Sequence, residues 1–137
     1  MTKQGVRFLL TLVFLGACLM LTAPQEKVAA ANNGHVIAMH LAASPANYNG
    51  ACPTTIRFGG WITMAGGPGK MTYGEFRSDG GHGNGGSHDF EKPGTWRSPE
   101  LTKWELGGPG KTFNGWVMIG SGNVKSNRAA FRVHCTK

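Results

Sequence analysis

"TTIRFGGWITM", Thr54 to Met64, alternates strictly: Ile56, Phe58, Gly60 and Ile62 share one parity, and Thr55, Arg57, Gly59, Trp61 and Thr63 the other. Successive side chains of an extended chain point to opposite faces, so this period of two predicts a β-strand. One parity is apolar and the other mixed, the pattern of a strand with one face on a core.

Further segments of the same kind lie on both sides. Val36–Ala42 is a strand candidate, followed by the loop composition Ser-Pro-Ala-Asn-Tyr-Asn-Gly at 44–50. After Met64 come Met71–Arg77, a short His88–Glu91 segment behind the Gly-rich loop 80–86, Thr95–Leu106, Phe113–Ile119 and Arg128–Thr136. Pro99 inside the fifth of these seven predicts an edge strand or a bulge, because proline brings no N–H to a ladder. Glycine accounts for 20 of the residues from 32 onward and recurs every few positions, which leaves no room for a helix of useful length. About seven strands with regular turn signals predict an all-β chain folded as one antiparallel β-sandwich.

"ELGGPGKTFNGW", Glu105 to Trp116, contains a Gly-Lys-Thr that resembles the end of a phosphate-binding loop. Glu105 occupies the place of the first glycine of that motif, where its carboxylate would repel phosphate, and the residues after Lys111 are strand formers where the motif opens a helix. Gly-Gly-Pro-Gly-Lys also recurs at 66–70 before another strand-like segment. Both copies therefore read as turns, proline setting one corner and glycine the positive φ beside it, and no nucleotide is expected as a ligand.

The N-terminal segment belongs to another class. Lys3 and Arg7 precede an apolar run from Phe8 to Ala23, and small residues follow at 28–31. That is the pattern of an export signal over residues 1–31, with the domain at 32–137. The run is shorter than the roughly 20 residues of a membrane span. Leu15-Gly16-Ala17-Cys18 resembles a lipobox, so a lipid anchor at Cys18 is the alternative to a cleaved, secreted or periplasmic form; the apolar Leu-Met-Leu after Cys18 favours cleavage. Residues 32–137 carry eleven basic and six acidic side chains, a net charge of +5, scattered without a basic run. Such a distribution argues against a nucleic-acid partner.

Cys52 and Cys135 are the cysteines outside the signal. Cys52 shares the even parity of Ile56 and Phe58, and Cys135 the odd parity of Phe131 and Val133, so both are expected on core-facing registers. In an up-and-down order of seven strands the start of the second and the end of the seventh lie together, and an oxidising compartment would join them as a disulfide.

Several motifs recur together: Ser-Pro-x-x-Tyr-x-Gly-x-Cys-Pro at 44–53, Ile-x-Phe-x-Gly-x-Ile at 56–62, Gly-Pro-Gly-x-x-x-Tyr at 67–73 and Arg-Ser-Asp-Gly at 77–80. Trp104, Gly115-Trp116 and Ser-Asn-Arg-Ala-Ala-Phe-Arg-Val-His-Cys at 126–135 complete the set. As a combination it resembles an uncharacterised family of exported bacterial immunoglobulin-like domains over essentially the whole of the chain after the signal. The resemblance implies an immunoglobulin-like β-sandwich and no catalytic residues, and it does not extend to the Gly- and His-rich loop after Gly80.

Asp79, His82, His88 and Asp89 surround that loop, and imidazole with carboxylate is a ligand set for zinc, copper or nickel. The competing reading is a mobile hairpin in which glycine gives freedom and histidine polarity. Arg77 and Asp79 are placed to pair at a strand end. Gly120-Ser121-Gly122 lacks the spacing of a nucleophile elbow, so no enzyme is expected and no cofactor is implied. Trp61 and Arg57 share the parity facing away from the core, where an aromatic ring beside a cation can meet a sugar or a protein; Trp104 and Trp116 are assigned to core or rim. The expectation is a secreted or periplasmic, non-enzymatic module that binds a protein or glycan of the envelope or extracellular space. A metal-binding protein using the His loop and a basic binder of anionic polymers or surfaces are the alternatives.

Overall fold

A computed structural model describes residues 33–136. The expected export signal over residues 1–31 and its alternative, a lipid anchor at Cys18, lie outside the described residues. Nine strands form: β1 His35–Ser44, β2 Asn47–Gly50, β3 Thr54–Ala65, β4 Gly69–Arg77, β5 Gly86–Phe90, β6 Gly94–Leu106, β7 Thr112–Ser121, β8 Val124–Lys125 and β9 Ala129–Cys135. They make a three-stranded sheet, β1-β3-β6, and a larger one, β2-β9-β7-β4-β5, with β8 paired to β7. The described residues are all-β, as their periodicity predicts.

Two strands exceed the expected seven. β2 has a turn composition, two Asn and a Gly in four residues, and is a strand because β9 is beside it. It pairs in parallel, from Asn47 opposite Arg132 to Gly50 opposite Cys135, and Arg132 N–H to Ala46 O and Thr136 N–H to Gly50 O extend the ladder. β8 is the two-residue return of a hairpin turned by Gly122 at φ 57°. The order is also not up-and-down, since the chain changes sheet repeatedly. Cys52 still reaches Cys135, because the parallel β2–β9 pair delivers it to the end of β9; the two are disulfide-bonded, with Cα atoms 5.4 Å apart.

Both Gly-Gly-Pro-Gly-Lys copies are turns, and both carry the chain from the smaller sheet to the larger, β3 to β4 and β6 to β7. Their backbones differ: positive φ falls on Gly66 (67°) and Gly67 (95°) in the first copy and on Gly108 (124°) and Gly110 (68°) in the second.

The two sheets enclose one core. Ile56, Phe58, Ile62 and Met64 enter it from β3, Leu41 from β1, Val117 and Ile119 from β7, and Phe131 and Val133 from β9. Phe58 meets Phe131 edge-on across the sheets at 5.8 Å, and Trp104 does the same at 5.4 Å. Each fully buried Phe or Ile side chain contributes about 1.5–3 kcal/mol relative to leaving it in water.

The smaller sheet has two free edges, and side chains from elsewhere in the chain bond to both. On β1, Leu41 N–H donates to Asn127 Oδ1 (2.9 Å) and Asn127 Nδ2 donates back to Leu41 O (2.8 Å). On β6, Tyr73 Oη donates to Leu101 O (2.7 Å) and Arg77 Nη2 to Lys103 O (3.5 Å). Bare strand edges invite pairing with other chains, and these bonds occupy part of each. Burial, and then the nearby Glu75 carboxylate, push the Tyr73 phenol above its ordinary pKa, which keeps it a donor.

Candidate functional site

β3 is the central strand of its sheet, so its outward residues have neighbours on both sides. Register places His40 of β1 opposite Trp61 and Trp61 opposite Arg97 of β6, one row across three strands. The His40 imidazole stacks on the Trp61 indole, with centroids 5.8 Å apart and planes 23° apart. The next row is Ala42, Gly59 and the Ser98–Pro99 corner, all short. Past Gly59, the next outward residue on β3 is Arg57, whose Nε is 2.7 Å from Glu100 Oε2. Small residues between larger ones leave a trough of about 520 Å³, bordered by His40, Trp61 and Arg97 and floored by Ala42, Gly59 and Pro99.

Its floor depends on the β6 proline. Between Phe58 and Gly60 of β3 the partner on β6 moves from Thr102 to Ser98, so β6 spends four residues where β3 spends two. Pro99 lies in this bulge on an edge strand, as the sequence predicts, and Leu101 drops from it into the core. The strands crowd here: a Cβ on Gly59 would come within 2.6 Å of Pro99 O, and one on Gly60 would overlap His40 O. Glycine at 59 and 60 is therefore a steric requirement, and the low floor follows from it.

Trp61 and Arg57, the residues expected on the outward face, are both there, Trp61 half-buried and Arg57 exposed. His40, Arg97 and Glu100 were not singled out. Alternation in their own segments turns His40 and Arg97 outward, whereas Glu100, three residues after Arg97, has the opposite parity and reaches Arg57 only because β6 bulges at Pro99. What a single segment lacks is the register that sets His40 and Arg97 beside Trp61.

The Gly- and His-rich loop joins the antiparallel strands β4 and β5 and packs closely on the chain beneath it. A Cβ on Gly83 would overlap the Glu75 carboxylate, one on Gly85 the Tyr73 carbonyl and one on Gly86 the Tyr73 ring. The glycines let the loop close over Glu75, a buried carboxylate that accepts from Arg77 Nε and Thr102 Oγ1. Arg77 thus pairs with Glu75 and lays its guanidinium 4.8 Å over Trp104, while Asp79, its expected partner, accepts from Gly81 N–H at 2.8 Å. His82 packs edge-on against Phe76 at 5.6 Å, and His88 stacks on Trp96 at 4.1 Å. Asp89 lies next to His88 on β5, opposite Lys70. Among the described residues no three His, Cys, Asp or Glu side chains gather as a metal-ligand set.

Trp104 and Trp116 are half-buried rim residues, the second covered by the Arg128 guanidinium at 4.3 Å. Among the described residues no helix is long and apolar enough to cross a membrane. Comparison with protein-family models, with curated proteins and with solved structures finds no match.

Proposed function

We propose that this protein is an exported, non-enzymatic immunoglobulin-like module that binds a partner of the envelope or extracellular space, protein or glycan, through the outward face of β1-β3-β6. The strand order supports the immunoglobulin-like part: one sheet of the first, third and sixth strands faces another in which a short early strand runs parallel to the last. The binding role rests on one observation, the trough beside Trp61. A half-exposed indole flanked by His40 and Arg97, above a floor kept low by Gly59, combines an aromatic anchor with space for a ligand to reach it.

Binding of the exported chain to isolated envelope material, compared with Trp61→Ala, tests the reading. An affinity loss of about 2 kcal/mol or more is expected, as for an aromatic anchor buried on binding. Protease or periodate treatment of the material beforehand tells a protein partner from a glycan. Envelope binding unchanged in Trp61→Ala would remove the face from consideration.

A further inference from the structure

We infer that the trough takes an acidic glycan strand laid across β1, β3 and β6, an inference that rests on the binding face proposed above and specifies its ligand. The direction of the trough is the first argument. Its lining residues come from all three strands, and β1 and β6 are the two edges of the sheet, so it reaches across the sheet from one rim to the other. Three strands at about 4.8 Å spacing give a crossing of about 10 Å, enough to seat more than one ring of a polymer.

An extended peptide is the poorer occupant. Peptides that join sheets run along an edge and exchange backbone hydrogen bonds with it, whereas a floor at right angles to the strands presents only side chains and glycine. A sugar chain needs an aromatic surface and lateral polar groups, which Trp61, Ser44 and Ser98 supply.

Charge selects the acidic class. Arg97 borders the trough exposed and has no ion-pair partner among the described residues. His40 stands at the other end of the row, and Arg57 lies beyond the floor. Among the described residues, the neighbouring Glu100 carboxylate is held by Arg57. A guanidinium beside an indole suits a uronate, its fork on the carboxylate and the ring against the aromatic wall.

The test uses uronate oligosaccharides (oligogalacturonate, oligomannuronate and hyaluronan fragments), each beside its methyl-esterified form of equal length, titrated into the exported chain by calorimetry. At least one acid form should bind about tenfold or more tighter than its ester. Arg97→Gln should abolish that preference while leaving ester binding within about twofold, and Trp61→Ala should weaken both forms by about 30-fold. Thermal melts matching the parent chain confirm that both variants fold. No binding by any acid form, or no acid preference, overturns the inference. So does acid binding that survives both substitutions, which would mean general attraction to a basic surface. Trp61-dependent capture of a protein or neutral glycan would overturn the acidic ligand alone and leave the binding face standing; loss of all Trp61 dependence would remove both.

Discussion

The two faces of β3 put alternate residues of one strand to opposite uses. Inward, Ile56, Phe58 and Ile62 have no solvent exposure and join the sheets; outward, Arg57, Gly59 and Trp61 carry a shallow trough. Each inward side chain lies in the core that the two sheets enclose, so its loss leaves a void. The outward ones border solvent, and their loss leaves a surface that water can cover. Stability should therefore track one parity of the strand and ligand binding the other.

The inward parity runs back to Cys52, and the largest effect is expected there. Replacing both Cys52 and Cys135 by Ser opens a link between residues 83 apart, for which the chain-entropy estimate is about 4–5 kcal/mol in a denaturant melt. Phe58→Ala follows at about 3–5 kcal/mol, because the ring facing Phe131 is replaced by a cavity. A loss below about 1 kcal/mol there would break the division between the faces.

Gly60→Ala stands on the boundary. Its Cβ would overlap His40 O, so β1 and β3 must move apart at a cost of about 1–3 kcal/mol. It should also weaken ligand binding by displacing His40.

Tyr73→Phe should cost about 1 kcal/mol through the bond to Leu101 O. Its pH dependence carries a sign: the folded-state pKa is raised, so the unfolded chain loses the phenolic proton first. The stabilisation is fully present below the unfolded value of about 10 and is lost as pH rises from there through the higher folded value. Melts from pH 8 to 11 should show the parent losing stability more steeply above pH 10 than Tyr73→Phe.

The smallest stability effect belongs to Trp61→Ala, below about 1 kcal/mol, since the half-exposed ring packs on the outside of the sheet. A melt showing a loss of 3 kcal/mol would sharpen the comparison against the site, by placing Trp61 with the core.

The all-β class, the inward parity of β3, the edge bulge at Pro99 and the turns at both Gly-Gly-Pro-Gly-Lys copies were legible because each depends on a few neighbouring residues: the period of a pleated strand, the missing proline N–H, the steric freedom of glycine. The cysteine pairing was legible by parity, although the up-and-down order invoked for it was not the one adopted. β2 was illegible because its composition is that of a turn and its strand character comes from β9. The close packing of the loop at 80–86 was illegible for a related reason: glycine is equally the residue of freedom and of close approach, and the close approach shows only with Tyr73 and Glu75 beneath it.

By itself, then, the sequence determined the extension of seven of the nine strands, the apolar side of β3 and the turns between the sheets. Tertiary structure alone decided which strands became neighbours, and hence that His40, Trp61 and Arg97, drawn from three distant segments, stand in one row. The physical reason is range. Alternation and turn chemistry act over two to four residues, whereas register across a sheet is set by the packing of a whole core, so identical Gly-Gly-Pro-Gly-Lys turns place positive φ on different residues while making the same kind of crossing.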